Sequence, residues 1–202
     1  MFLKSPLPLI LGSTSVYRRE LLTRLQIPFE CHSPGVDETP LPGERARDLV
    51  VRLARLKAQA VAERHPEAWV IGSDQVAVLT DASQHERILG KPGTAAKCIE
   101  QLQACSGHTL AFVTAVAVVH RPEAALVEFV DTTRVSYRKL DPAAIERYVT
   151  RESPLDCAGG FKSEALGITL CESIDSSDPT ALIGLPLIRL CAVLRDAGFD
   201  LP

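Results

Sequence analysis

Gly12-Ser13-Thr14-Ser15-Val16-Tyr17-Arg18-Arg19 lies between an apolar run at residues 7–11 and a helical pattern that opens at Glu20-Leu21-Leu22. This order predicts a strand, a short turn rich in hydroxyl groups, and a helix whose first turn carries two arginines. Such a turn can offer backbone N–H groups, hydroxyls and guanidinium groups to one anion. A helix cap followed by solvated arginines explains the same residues equally well, so both interpretations stay open on this stretch alone.

The rest of the chain alternates predicted strands and helices. Strands are predicted at 9–12, 29–33, 69–79, 109–119, 125–137 and 168–171, and helices at 17–25, 44–65, 94–105, 141–149 and 186–197. The two long strands joined by a turn at 120–123 are expected to be antiparallel, which predicts an α/β fold with a mixed sheet. The chain has 202 residues, of which 46% are hydrophobic and 23% charged, and this suits one globular domain over residues 1–202.

Composition excludes several classes of protein. The net charge is −3, so no basic excess indicates a nucleic-acid binder. The six cysteines form no C-x-x-C pair, which argues against a zinc site and favours reduced thiols in the cytoplasm. Residues 110–119, the longest apolar run, are too few to span a bilayer, and the first residues do not resemble a signal peptide. We therefore expect no membrane and no nucleic-acid partner, while a homodimer is compatible with the sequence.

Two acidic positions are candidates for chemistry. Asp74 lies near the end of an apolar strand, where a carboxylate can be a metal ligand or a general base. Glu38 follows Asp37 in a turn bounded by proline. Each acid alone is more simply explained as a strand end or a solvated loop. Together they could hold Mg²⁺, which proteins usually bind through one or two carboxylates plus substrate phosphates.

Lysines and glycines supply further candidates. Lys57 interrupts the apolar stripe of the long helix, so it either extends to solvent or faces a ligand. Lys91 is held in Gly90-Lys91-Pro92, without the spacing of a P-loop. Lys162 and Glu164 lie in Gly159-Gly160-Phe161-Lys162-Ser163-Glu164, where a glycine pair would let the backbone approach a ligand. An ordinary flexible loop explains this last segment equally simply.

Taken in order, these pieces resemble one family. The series S-T-S-x-x-R-R, V-D-E, an in-helix K-A, S-D-Q-V, G-K-P and C-A-G-x-F-K-S-E is similar to that of the Maf family of nucleoside triphosphate pyrophosphatases. Tyr17, Gln75 and Glu164 resemble the 7-methyl-GTP pyrophosphatase branch rather than the dTTP/UTP branch. The resemblance implies an elongated mixed β-sheet flanked by helices around a central cleft, as in Maf and ITPase-like proteins, with the single domain forming two lobes.

The resemblance also implies a reaction and a set of roles. The reaction is hydrolysis of the α–β phosphoanhydride of a nucleoside triphosphate, with a divalent cation, Mg²⁺ or Mn²⁺, as cofactor. Asp74 is implied as the catalytic proton acceptor and, with Glu38, as a metal ligand, whereas Tyr17, Gln75 and Glu164 would set the choice of base. The residues implied to bind phosphate are Ser13, Ser15, Arg18, Lys57, Lys91 and Lys162.

The chain departs from the family at two places. Val16 stands where the family usually has proline, so the turn is less rigid, although valine should not prevent it from forming. Residues 81–87 look longer than the usual hairpin. Two other functions also stay open: a Maf-type hydrolase of dTTP, UTP or another modified nucleotide, and a non-catalytic nucleotide-binding regulator of cell division.

Overall fold

The computed structural model of the chain describes residues 8–81, 83 and 85–202. Residues 1–7, on which the prediction about a signal peptide rests, lie outside the described residues, as do residues 82 and 84 of the long hairpin. The helices of the described part are α1 (Val16–Thr23), α2 (Ala46–Arg64), α3 (Ala95–Cys105), α4 (Pro142–Glu152) and α5 (Leu187–Asp196). None of the helices within that part is long and apolar enough to cross a membrane.

The strands form one mixed sheet. They are β1 (Leu9–Leu11), β2 (Glu30–Cys31), β3 (Trp69–Thr80), β4 (Glu86–Leu89), β5 (Thr109–His120), β6 (Ala125–Tyr137) and β7 (Cys171–Asp175). Their order is β2-β1-β3-β5-β6-β7, and β4 pairs with β3. β1 is parallel to both β2 and β3, whereas β4 and β7 are antiparallel to their neighbours. The predicted α/β fold with a mixed sheet flanked by helices is therefore confirmed.

Most of the predicted helices and strands are present, and two helices begin at the capping residues that the sequence predicts. Thr94 caps α3 by accepting a hydrogen bond from the backbone N–H of Lys97. Asp141 caps α4, with Pro142 at the first helical position. The tight connection between β5 and β6 requires these neighbouring strands to run in opposite directions, as expected.

The predicted strand at 168–171 is wrong. Residues Leu166–Leu170 form a 3₁₀ helix, and the strand begins only at Cys171. The apolar side chains of this stretch suggested a strand, but the true strand has the sequence Cys-Glu-Ser-Ile-Asp and is mostly exposed. This strand is stabilised by its hydrogen-bonded pairing with β6, which the composition of the strand itself does not reveal.

The chain divides into two compact units. Among the described residues, the first comprises 8–74, 114–131 and 184–202, and the second comprises 75–81, 83, 85–113 and 132–183. The single domain predicted over 1–202 stays a prediction.

In the first unit, α2 lies directly against β3. Its buried face follows helical spacing through Leu49, Val50, Leu53 and Val61. Gly72 of β3 permits the contact, because a Cβ at this position would collide with the backbone oxygen of Ala54 and lie 2.6 Å from the backbone nitrogen of Ala58. This close approach brings the middle of α2 to the part of β3 that carries Asp74.

In the second unit, an aromatic cluster supports the glycine-containing segment. The ring centroids of Phe112 and Phe161 lie 5.6 Å apart, and those of Tyr137 and Phe161 lie 5.4 Å apart. Gly159 and Gly160 both have positive φ, at 64° and 62°, so the chain bends here as only glycine readily allows. The Tyr148 hydroxyl donates to the Gly160 carbonyl at 3.1 Å and accepts from the backbone N–H of Lys162, also at 3.1 Å.

The close contact of α2 with β3 gives a stability prediction. Gly72→Ala should lower the free energy of unfolding by about 2 kcal/mol or more, because the added methyl group meets backbone atoms that cannot rotate away. Urea unfolding followed by circular dichroism measures the change. Gly90→Ala is the matched control, since nothing lies within 4 Å of a Cβ there, and its effect should stay within about 0.5 kcal/mol. Equal stability of the two variants would contradict this account of the packing.

Candidate active site

The opening turn is held by its own hydroxyl groups. Ser15 is the N-cap of α1, and its Oγ accepts from the backbone N–H of Arg18 at 3.4 Å. Ser13 is buried, and its Oγ accepts from the backbone N–H of Ser15 at 3.1 Å and lies 3.5 Å from Arg18 Nη1. Val16 begins the helix without disturbing this arrangement, so the turn forms as expected in the absence of proline. The helix cap is therefore confirmed, but Arg18 is not a solvated arginine, because the same cap brings a hydroxyl next to its partly buried guanidinium.

Arg18 is held in place by a backbone carbonyl. Its Nε donates to the carbonyl oxygen of Gly184 at 2.9 Å. Burial lowers the pKa of Arg18 from its ordinary value, while the negative charges of Asp74 and Glu38 act in the opposite direction. Because an arginine retains its proton in proteins, this is a preorganised positive charge near two carboxylates.

Lys57 lies between those two carboxylates. Its Nζ donates to Asp74 Oδ1 at 2.7 Å and to Glu38 Oε2 at 2.7 Å. Only 6% of the Lys57 side chain and 9% of the Asp74 side chain are exposed, whereas 55% of the Glu38 side chain is. The lysine that interrupts the apolar stripe of α2 therefore turns inward and neutralises a buried acid.

The environment of Asp74 makes it a stronger base than an ordinary aspartate. Burial raises its pKa, and the positive charges of Lys57 and Arg18 oppose this rise without cancelling it. A carboxyl group with a raised pKa accepts a proton more readily once it is ionised. The two cations at the same time stabilise the ionised form that a base requires.

The loop that carries Glu38 is organised by a second ion pair. Arg52 on α2 donates to Glu44 through Nε at 2.6 Å and through Nη2 at 2.7 Å, and Nη2 also reaches the Thr39 carbonyl at 3.1 Å. Asp37 accepts from the backbone N–H of Thr39 at 2.9 Å. The adjacent acids thus differ in role, since Asp37 stabilises the turn and Glu38 points to Lys57.

Asp74 and Glu38 suit a divalent metal ion in donor chemistry and in placement. Both are hard oxygen donors, and both already converge on one cationic group, the Lys57 ammonium. Within the described part of the chain, no group of three or more His, Cys, Asp or Glu side chains is arranged to hold a metal. Two carboxylates match the way proteins usually bind Mg²⁺, with phosphate oxygens and water completing the coordination.

Sequence reasoning missed one part of this site, the backbone carbonyl of Gly184. The carbonyl of Gly184 accepts from both Arg18 Nε and Ser73 Oγ, each at 2.9 Å. Gly184 has a φ of 121°, which favours glycine, and a Cβ there would lie 3.3 Å from Arg18 Nε. The glycine before Leu185-Pro186 was the available signal, but a backbone carbonyl leaves no trace in side-chain patterns.

Four of the remaining predicted residues, Gln75, Lys91, Lys162 and Glu164, lie in the second unit, whereas Tyr17 lies in α1 of the first unit. The Gln75 side-chain nitrogen donates to the carbonyls of Ala181 and Leu182, at 2.9 and 3.0 Å. Lys162 Nζ lies 3.0 Å from Glu152 Oε1, and this hydrogen bond is the main cause that raises the Lys162 pKa. Lys91 and Glu164 are exposed. The structure thus brings Ser13, Ser15, Arg18, Lys57, Glu38 and Asp74 together in the first unit, while the roles of the other residues stay predictions.

A comparison with known families agrees with the resemblance noted in the sequence. Residues 8–197 match the model of the family described as Maf-like protein. The chain belongs to the Maf-like protein family. The residues of the described site all fall inside the matched range.

Several curated Maf-like relatives are similar over nearly their whole length. A "7-methyl-GTP pyrophosphatase" from Aromatoleum aromaticum is 57% identical, and the match covers 96% of this chain and 97% of that protein. Proteins of the same name from Xanthomonas oryzae pv. oryzae and Polaromonas sp. are 56% and 54% identical. These matches cover 96% of this chain in both cases, and 98% and 86% of the two relatives.

Two solved structures are more distant neighbours of this Maf-like chain. The Ham1 protein of Staphylococcus aureus gives a TM-score of 0.46 at 17% identity, covering 64% of this chain and 71% of that one. A HAM1 protein from Coxiella burnetii gives 0.44 at 15% identity, covering 65% and 73%.

The ion cluster around Lys57 gives a second stability prediction. Lys57→Met should lower the free energy of unfolding by about 3 kcal/mol, because it leaves the Asp74 carboxylate buried without its closest cation. Chemical unfolding at neutral pH measures the loss.

Arg55→Met is the matched control on the same helix. Arg55 forms a bidentate ion pair with Glu128, at 2.8 and 2.6 Å, but 45% of its side chain is exposed. Solvent screening should limit the effect of its loss to about 1 kcal/mol or less. If Lys57→Met proves as mild as the control, the buried ammonium is not a major contributor to stability.

Proposed function

We propose that this protein hydrolyses the α–β phosphoanhydride of 7-methyl-GTP, releasing 7-methyl-GMP and diphosphate. The observation that carries the proposal is the set of near-full-length relatives, 54–57% identical, whose name is 7-methyl-GTP pyrophosphatase. The geometry of the first unit supports it, because a buried carboxylate, a lysine and an arginine are the groups that such a hydrolysis requires.

The chemistry follows from the contacts already described. Asp74 would accept a proton from the attacking water, for which its raised pKa suits it. Arg18 and Lys57 would neutralise the charge that develops on the phosphate oxygens. Because Gly184 already holds Arg18 in place, this cation needs little reorganisation when the substrate binds.

Asp74 and Glu38 would hold a divalent cation, Mg²⁺ or Mn²⁺. When bound, such an ion neutralises phosphate charge and lowers the pKa of a coordinated water. The Lys57 ammonium now occupies the place where the two carboxylates converge, and its flexible four-carbon chain can turn towards a phosphate oxygen instead.

The choice of base is assigned to Tyr17, Gln75 and Glu164. Methylation at N7 gives guanine a formal positive charge, and an aromatic face such as that of Tyr17 attracts a cation by about 0.5–2 kcal/mol. A carboxylate such as that of Glu164 can accept from the N1–H and the exocyclic amine of guanine. These two contacts would explain a preference for a cationic purine over thymine or uracil.

We assign Ser13, Ser15, Lys91 and Lys162 to binding the phosphates of the substrate.

We place the reaction in the cytoplasm. None of the six cysteines forms a disulfide in the structure, and Cys98 and Cys105 are buried. Burial raises the pKa of Cys98 to about 11 and that of Cys105 to about 12, so neither is a reactive thiolate at neutral pH. Cysteines that form no disulfide suit a reducing compartment.

Asp74→Asn tests the proposed base. The amide keeps the shape of the side chain but cannot accept a proton, so kcat should fall by about 10²–10⁴-fold. Release of diphosphate from 7-methyl-GTP measures the rate, and urea unfolding shows that the variant is folded.

Asp141→Asn is the control for this substitution. Asp141 caps α4, and asparagine is an equally good cap, so both rate and stability should stay close to wild type. A near-wild-type rate in Asp74→Asn would remove Asp74 from the role of base.

A substrate panel tests the base preference. We expect kcat/KM for 7-methyl-GTP to exceed the values for dTTP and UTP by at least about tenfold, in line with the strength of a desolvated cation–π contact. GTP isolates the contribution of the N7 methyl group. All turnover should stop when EDTA removes the divalent ion.

The panel also separates the alternatives. Preferred turnover of dTTP or UTP would reassign the substrate while leaving the hydrolase intact. Binding of nucleotide without any release of diphosphate, with Mg²⁺ or with Mn²⁺, would instead indicate a non-catalytic binding protein.

A further inference from the structure

The second unit contains a pocket that the proposed reaction does not use. It is a surface cavity of about 170 Å³, and the buried residues Tyr148 and Leu170 belong to its lining. Three arginines line it: Arg138, which follows β6, and Arg147 and Arg151 on α4. None of the residues predicted to bind phosphate in the hydrolytic reaction belongs to its lining.

The arginines are not explained by ion pairing. Across the described ranges, no carboxylate oxygen lies within 4 Å of a guanidinium nitrogen of Arg138, Arg147 or Arg151. Glu152, the acid next to Arg151, is used elsewhere, since it accepts from Lys162 Nζ and from the backbone N–H of Leu166, both at 3.0 Å. The pocket therefore concentrates positive charge in a chain whose net charge is −3.

Two of these arginines lie close together on α4, and their mutual repulsion destabilises the helix. Arg147 and Arg151 are four residues apart on α4, so they project from the same side of the helix and repel each other. The C-terminal end of the helix, near Arg151, carries about half a negative charge, which offsets only a small part of three full positive charges. A bound anion would relieve the repulsion.

Arg138 is already positioned for a ligand. Its Nε donates to the Thr169 carbonyl at 2.9 Å, and its Nη1 donates to the Lys139 carbonyl at 3.4 Å. Within the described residues its Nη2 has no hydrogen-bond partner. The guanidinium is thus anchored through Nε and Nη1 and offers the donors of Nη2, and this anchoring reduces the entropy lost when it binds an anion.

Size and donor type define the chemical class of the ligand. Planar guanidinium forks match the paired oxygens of phosphate groups. A volume of about 170 Å³ holds roughly five or six waters at liquid density, which suits orthophosphate or diphosphate and is small for a nucleotide. We propose that Arg138, Arg147 and Arg151 form a binding site for a small phosphate anion, separate from the site around Asp74.

Isothermal titration calorimetry with inorganic diphosphate, and in a second arm with orthophosphate, tests the proposal at constant ionic strength. Wild-type protein should bind the tighter of the two anions in a saturable event. The double variant Arg147→Gln/Arg151→Gln should bind it at least tenfold more weakly. The two arms show whether a phosphate monomer or the diphosphate is the better ligand.

Arg121→Gln/Arg134→Gln is the matched control. It removes the same charge from two exposed arginines that do not line the pocket, and should leave the affinity within twofold of wild type. Equal affinities of the two double variants would overturn the proposal, because the anion would then bind elsewhere, at Arg18 and Lys57 for example. The absence of saturable binding by the wild-type protein would overturn it as well.

A second readout keeps the test valid if the pocket variant is poorly folded. In wild-type protein, the side-chain ¹⁵Nε resonances of Arg138, Arg147 and Arg151 should shift together during the anion titration. Shifts confined to Arg18 would place the anion in the other site and contradict the proposal. Neither readout needs turnover, so the result does not depend on the proposed hydrolysis.

Discussion

A buried ammonium group connects the fold of the first unit to its chemistry. Lys57 Nζ lies 2.7 Å from a carboxylate oxygen of Asp74 and 2.7 Å from one of Glu38. Burying a charge without such partners would be very costly, so α2, β3 and the loop of Glu38 must come together before the cluster is stable. Gly72 makes this geometry available, because only a residue without Cβ lets α2 approach β3 so closely.

The same cluster combines a stable arrangement with the properties that the proposed hydrolysis requires. Asp74 is buried enough for its pKa to rise, yet two cations favour its ionised form. Arg18 is held by the Gly184 carbonyl rather than by direct pairing with an acid, so its remaining donors are available to another anion. In the proposed reaction, phosphate oxygens of the substrate would take the place of the carboxylates next to Lys57. A divalent cation would take the place of Lys57 next to the carboxylates.

Much of the fold and of the candidate site could be predicted from the sequence, because these features depend on residues that are close together along the chain. A lysine that breaks an apolar stripe, an acid within an apolar strand and serines before a helix all leave a pattern in neighbouring residues, although Asp74 lies in the middle of β3 and not near its end as expected. The ordering of β7 by pairing with β6 and the Gly184 carbonyl depend on contacts between distant parts of the chain. The distinct roles of Asp37 and Glu38 depend on the turn geometry set by Arg52, and the arginine pocket requires β6 and α4 to be adjacent.

Product analysis by ³¹P NMR tests the central claim most directly. Wild-type protein is incubated with 7-methyl-GTP and Mg²⁺, and the spectrum is followed with time. The account predicts that resonances of 7-methyl-GMP and diphosphate appear in equal amounts, without orthophosphate. The appearance of orthophosphate together with 7-methyl-GDP would contradict cleavage at the α–β bond. An unchanged nucleotide spectrum would contradict the assignment of the Asp74 cluster as a hydrolytic site.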